Sequence, residues 1–232
     1  MWLILSFSLL SMSTLFPAAD CEFRARNGQY EGSCGSIFDA VPTFKVTATD
    51  SITSGRWRPD TRPTSAWRGE VILPPPRNSS PIEVESYADG TGVLRTIVGW
   101  FPISGFQSST DAIRFRLDPT QQVAPSALDR QIIERAAVLI STEARWDRAD
   151  DRICAVTDTT WSIYCALQRA TLDVTGGFHH RRPALELVRV IVEQRTAGRD
   201  YSHRLMDYNN DKTTRLDDLR SLFAEALAKI RP

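Results

Sequence analysis

Three histidines carry the chain's proton-transfer capacity near neutral pH, and all lie in its C-terminal half: His179, His180 and His203. Imidazole beside carboxylate is the common pairing for acid/base work and for metal ligation, so convergence of these rings with Asp207 or Asp211 would make a site of either kind. No zinc-enzyme spacing of the H-E-x-x-H type is present, and adjacent His179 and His180 point opposite ways in an extended segment. Both open the run His-His-Arg-Arg-Pro, residues 179–183. Arg181 and Arg182 within it are candidate binding residues; pairing with carboxylates such as Glu186 or Asp173 is the plainer reading.

The second chemical run is Asp207-Tyr208-Asn209-Asn210-Asp211, continuing to Asp217-Asp218. Oxygen side chains at Asp207, Asn209, Asp211 and Asp218 fall at the first, third, fifth and twelfth places of a calcium loop between two helical pieces. Lys212 stands where that loop's sharp turn uses Gly, and Asp218 replaces the longer bidentate Glu. Asp, Asn and Thr are also what a helix start uses, with Thr214 as the cap and Asp217 reaching back. Calcium is the one cofactor this spacing admits. The helix-start reading is preferred.

No G-x-S-x-G, no Cys beside His, no Ser-x-x-Lys of the penicillin-binding type and no phosphate-cradling Gly loop occurs. Thr175-Gly176-Gly177 reads as a helix stop. Trp57, Trp67 and Trp100 are core stock, with a carbohydrate groove as the alternative. The four cysteines cluster as Cys21 with Cys34 and Cys154 with Cys165, which favours two local disulfides over a four-thiolate zinc site, since C-x-x-C is absent. Asn78-Ser79-Ser80 is a glycosylation acceptor only in a eukaryotic secretory pathway.

Residues 1–19 are apolar or small and uncharged and end in Pro17-Ala18-Ala19, a secretory signal peptide cleaved before Asp20. The compartment this implies is oxidising, secreted or periplasmic, where thiols pair. Lys plus Arg and Asp plus Glu balance at 28 each, so no net field draws nucleic acid or an anionic membrane. No later apolar run is long enough to span a bilayer.

Two halves with different periods must position these groups. Residues 20–120 are rich in Gly, Pro, Ser, Thr and aromatics, with candidate strands over 43–48, 69–73, 82–87, 93–101 and 112–117. Asp89-Gly90 supplies the hairpin turn between two of them. From Ser126 the apolar period becomes helical. Ser126 with Asp129 starts the first helix, a second runs over 160–174, Pro183 opens a third that ends near Gly198, a short piece covers 201–206, and Thr214 caps the last. The predicted fold is α+β: an N-terminal small β-sandwich or barrel (20–120), then a C-terminal four- or five-helix bundle (126–232).

Residues 128–227 resemble a family of small bacterial helical domains of unknown function, on the strength of Cys-Ala-Leu-Gln-Arg-Ala (165–170), Val-Thr-Gly (174–176) and Asp-Tyr-Asn-Asn-Asp with Thr214 before an amphipathic helix. The resemblance implies a helical fold and a Thr-capped last helix, and it implies no activity. The functional expectation is a secreted or periplasmic non-catalytic protein that binds a protein partner or cell-envelope component. The alternatives are a hydrolase or lyase built on His179, His180 and His203 with Asp207 or Asp211, and a weak calcium-dependent adhesion module.

Overall fold

The computed structural model describes residues 18–34, 43–50, 52–58, 61–72, 79–118 and 121–230. The signal segment up to residue 17 and Asn78 lie outside them.

Eight antiparallel strands close into a barrel in chain order: β1 (Ala19–Arg26), β2 (Gln29–Ser33), β3 (Thr43–Ala48), β4 (Ser65–Ile72), β5 (Ser80–Ser86), β6 (Gly92–Thr96), β7 (Gly99–Ser108) and β8 (Ala112–Leu117). Alternation sets which side chains face in. In β8, Ile113, Phe115 and Leu117 are buried while Arg114 and Arg116 are exposed. With Phe23, Phe44, Trp67, Ile82, Val84, Leu94 and Phe101 they fill the lumen, which is a packed core. Asn27 and Gly28, at φ 49° and 79°, join β1 to β2 in the left-handed conformations that a two-residue hairpin requires. The expected strand over 93–101 is two strands: Thr96 Oγ1 accepts from the backbone N–H of Val98 and Gly99 and turns the chain.

The helical half holds α1 (Ala127–Leu139), α2 (Ile163–Thr175), α3 (Pro183–Arg195), α4 (Arg204–Asn210) and α5 (Leu216–Lys229). Ser126 and Asp129 form the expected capping box on α1, Pro183 is the first residue of α3, and Gly176 at φ 76° ends α2. Cys21 is bonded to Cys34 and Cys154 to Cys165.

Two expectations are corrected here. The fold is not a sandwich or barrel followed by a four- or five-helix bundle. The β half is a closed barrel, and the helical half is a single core interrupted by a long irregular stretch, residues 140–162, which has one 3₁₀ turn at Glu143–Arg145 and a bridge from Trp146 to Trp161. Buried Asn209 makes that stretch part of the core: its side chain accepts from Trp146 Nε1 (2.9 Å) and Ile163 N (3.1 Å) and donates to Asp147 O (2.8 Å). A bundle needs helices that span it, and α4 has only seven residues. The second correction concerns Thr214. Its hydroxyl donates to Tyr208 O at 2.8 Å, the cap position is Arg215, and Asp218, not Asp217, accepts from the Arg215 N–H at 2.8 Å.

The halves meet on the outer face of β5, β6 and β7, where burial extends to both sides of the sheet. Glu85 and Arg95 pair there at 2.8 Å, each 1% exposed. Arg182, just before α3, bonds Asp129 at 2.8 Å and reaches across to Arg56 O at 3.0 Å. The guanidinium carbons of Arg95 and Arg182 lie 4.4 and 5.0 Å from the Trp100 ring centroid, a cation–π arrangement. Backbones press together beside them: a Cβ on Gly177 would stand 2.2 Å from Thr53 O.

Candidate functional site: a basic cleft in the helical half

The segment between α2 and α3 divides its side chains between two surroundings. His179 and Arg182 turn to the barrel. His180 and Arg181 turn away from it into a cleft of about 690 Å³, whose other cations are Arg152 from the irregular stretch, Arg189 from α3, and His203 and Arg204 at the start of α4. Tyr164, Phe178 and Tyr201 supply its aromatic wall. Pro183 fixes where α3 starts, so the turn before it has one way to leave the helix. Arg182 N donates to His179 O at 3.0 Å and closes that turn.

Most of the cationic groups are held in place. Glu186 accepts from Arg189 at 2.5 Å and from Arg181 at 3.3 Å, and Arg189 also donates to His180 O at 2.6 Å. Arg204 pairs with Glu193 at 2.9 Å. Burial holds the His180 ring's pKa below its ordinary value, with the Arg181 and Arg189 charges acting in the same direction. Four arginines against two carboxylates leave the cleft positive with both rings neutral. Such a site attracts anions.

His179 lies outside the cleft, in the junction. Its Nδ1 accepts from Trp100 Nε1 at 3.0 Å and from Arg181 N at 3.2 Å, so the ring is neutral with its proton on Nε2. Burial, then the charges of His180 and Arg95, push its pKa down to about 4. It stacks on His180 at 5.2 Å between ring centroids, which links junction to cleft.

The remaining sequence candidates are dispersed. Asp207 accepts from His203 N at 2.7 Å at the start of α4. Asp211 takes Tyr201 at 2.7 Å and the Thr213 hydroxyl at 2.6 Å and pairs with Arg199; these donors, Thr213 foremost, hold its carboxyl well below the usual range. Asn209 serves the core and Asp218 caps α5. Among the described residues, no group of three or more His, Cys, Asp or Glu is gathered as metal ligands. Neither Asp207 nor Asp211 hydrogen-bonds a histidine ring among them. The three tryptophans do not form a groove either: Trp67 is inside the barrel, Trp100 is in the junction, and Trp57 stacks with Tyr87 beside Arg58.

Arg152, Arg189 and Arg204 are cleft residues that the sequence did not single out. Arg189 had a signal, since Glu186 three residues earlier shares its helix face. Arg152, between Asp151 and Ile153 in an irregular stretch, had none. No protein-family model matches the chain, and neither a curated protein nor a solved structure matches it.

Proposed function

We propose that this is a secreted or periplasmic binding protein, without chemistry of its own, that takes an anionic cell-envelope component or partner in the basic cleft of its helical half. The observation that carries the reading is the convergence of Arg152, Arg181, Arg189 and Arg204 with His180 and His203 on one concavity with an excess of positive charge. Two disulfides support an oxidising compartment, and among the described residues no helix is long and apolar enough to cross a membrane. The hydrolase alternative draws on His180 and His203 sharing the cleft, but no carboxylate orients either ring, as a general base requires.

The test is a titration of mature protein with heparin as a generic polyanion and dextran as a neutral control, at low and high salt. Salt-sensitive binding of heparin that is lost in Arg181→Gln/Arg189→Gln supports the reading. Equal binding of both polymers, or no effect of the double substitution, ends it. Turnover of a phosphate or carboxylate ester that disappears in His203→Ala would favour the hydrolase.

A further inference from the structure

Arg152 differs from every other arginine in the cleft in two respects. It has a left-handed backbone, φ 65°, which residues with a side chain rarely adopt. That conformation is pinned from below: Asp150 Oδ1 accepts the Arg152 N–H at 2.7 Å, and Asp150 is tied to Asn210 by backbone N–H to Oδ1 and Nδ2 to backbone O, both 2.8 Å. Arg181, Arg189 and Arg204 are each paired with a glutamate. Arg152 has no carboxylate partner among the described residues. Its NH1 lies 3.4 and 3.2 Å from the two ring nitrogens of His203, so the group rests across the imidazole and its fork is not committed to an in-line acceptor. A held backbone and an uncommitted fork are what an oxyanion seat requires.

Charge and size narrow the anion. With both rings neutral the cleft's arginines exceed its glutamates by two, which matches a dianion and over-neutralises a carboxylate or sulfate ester. A phosphate monoester carries about −1.5 to −2 near neutral pH and offers three acceptor oxygens. Arg152, His203, Arg204 and the Ser202 hydroxyl border the same end of the cleft and supply donors for a tetrahedral group. The cleft, at about 690 Å³, has room for much more than one phosphoryl group, and Tyr164, Phe178 and Tyr201 give it a wall for an organic portion.

We infer that the cleft is a phosphate-monoester site, with the Arg152–His203 pair as the seat of the phosphoryl group and the aromatic wall facing its organic substituent. This rests on the anion-binding reading above and makes it specific. The experiment is calorimetric titration of the intact, oxidised protein with phenyl phosphate, phenyl sulfate and benzoate. Phenyl phosphate is expected to bind about tenfold tighter than either of the others, with Arg152→Lys and His203→Ala each weakening it about tenfold. Arg220→Gln, on α5 and paired with Asp217, should bind as wild type does. Circular dichroism shows which variants are folded, and His203→Ala decides if Arg152→Lys is not. Equal affinity for the three anions, lost in Arg181→Gln, would overturn the phosphate seat and leave the anionic cleft standing. If none of them binds and heparin does not bind either, both fail.

Discussion

Trp100 on β7 donates its indole N–H to Nδ1 of His179, 79 residues further along the chain, at 3.0 Å. The bond joins barrel to helices at the place where the 179–182 segment splits between junction and cleft. Trp100→Phe keeps the ring's bulk and removes the donor. The His179 nitrogen still has Arg181 N, so it is not orphaned, and the expected loss is about 1–2 kcal/mol, including some weakening of the contacts with Arg95 and Arg182. Urea unfolding measures it, and a change within error would show that the indole N–H adds nothing.

Acid should loosen the same place. His179 has a folded pKa near 4 against 6.5 for the free side chain, so the unfolded chain binds the proton first. The stabilisation is therefore complete above pH 6.5 and is lost as pH falls towards 4, at roughly 1.4 kcal/mol per pH unit within that window. His180, also depressed, adds to the loss in the same direction. Unfolding free energies at several pH values across the window should fall more steeply for wild type than for His179→Asn. Parallel curves would refute this.

The Asp129–Arg182 pair is fully buried, and Asp129 also accepts from Ala184 N and from the Ser126 hydroxyl. Arg182→Met leaves that carboxylate buried without its cation and should cost about 3–5 kcal/mol. Asp129→Asn/Arg182→Met should be less destabilised than the sum of the two single variants, because the uncompensated charge is gone. Additive losses in a double-mutant cycle would show the pair is not coupled.

Opening the Cys154–Cys165 bond with Cys154→Ser/Cys165→Ser should cost about 3 kcal/mol in the chain-entropy account. The loop it closes begins two residues after Arg152. Amide exchange should rise at residues 150–158 in the variant and stay unchanged in the barrel.

Asp218→Ala removes the acceptor for the Arg215 N–H at the start of α5 and should cost about 1 kcal/mol. Thr214→Val instead removes the bond to Tyr208 O and leaves the cap. Melts of both variants with calcium and with chelator should show the same losses in each. A calcium-dependent gain in wild type, absent in Asp211→Asn, would reinstate a metal loop.

What could be read from the sequence was whatever local pattern decides. β3 and β8 alternate cleanly and their limits were predicted as found, as were the Ser126–Asp129 box and the Pro183 start. β1 and β2 were missed although Asn27-Gly28 is a strong turn signal. β2, Gln-Tyr-Glu-Gly-Ser, has almost no apolar content and holds its place through backbone pairing with β1 and β3. Glu83, Glu85 and Arg95 read as a solvated strand face because nothing local says that helices will cover it. The cleft shows the same limit. His180, His203 and Arg181 were candidates by residue type, whereas Arg152 joins them only through tertiary placement by Asp150 and Asn210.

Closure of the barrel also restricts how other molecules can meet it. β1 is paired with β2 on one side and with β8 on the other, so the sheet presents no free edge along those strands. An incoming peptide therefore has no row of open backbone donors and acceptors on which to lay a further strand. Recognition by this half must run through side chains and loops, and the N-terminal domain is protected against the edge-to-edge association that threatens open sheets at high concentration.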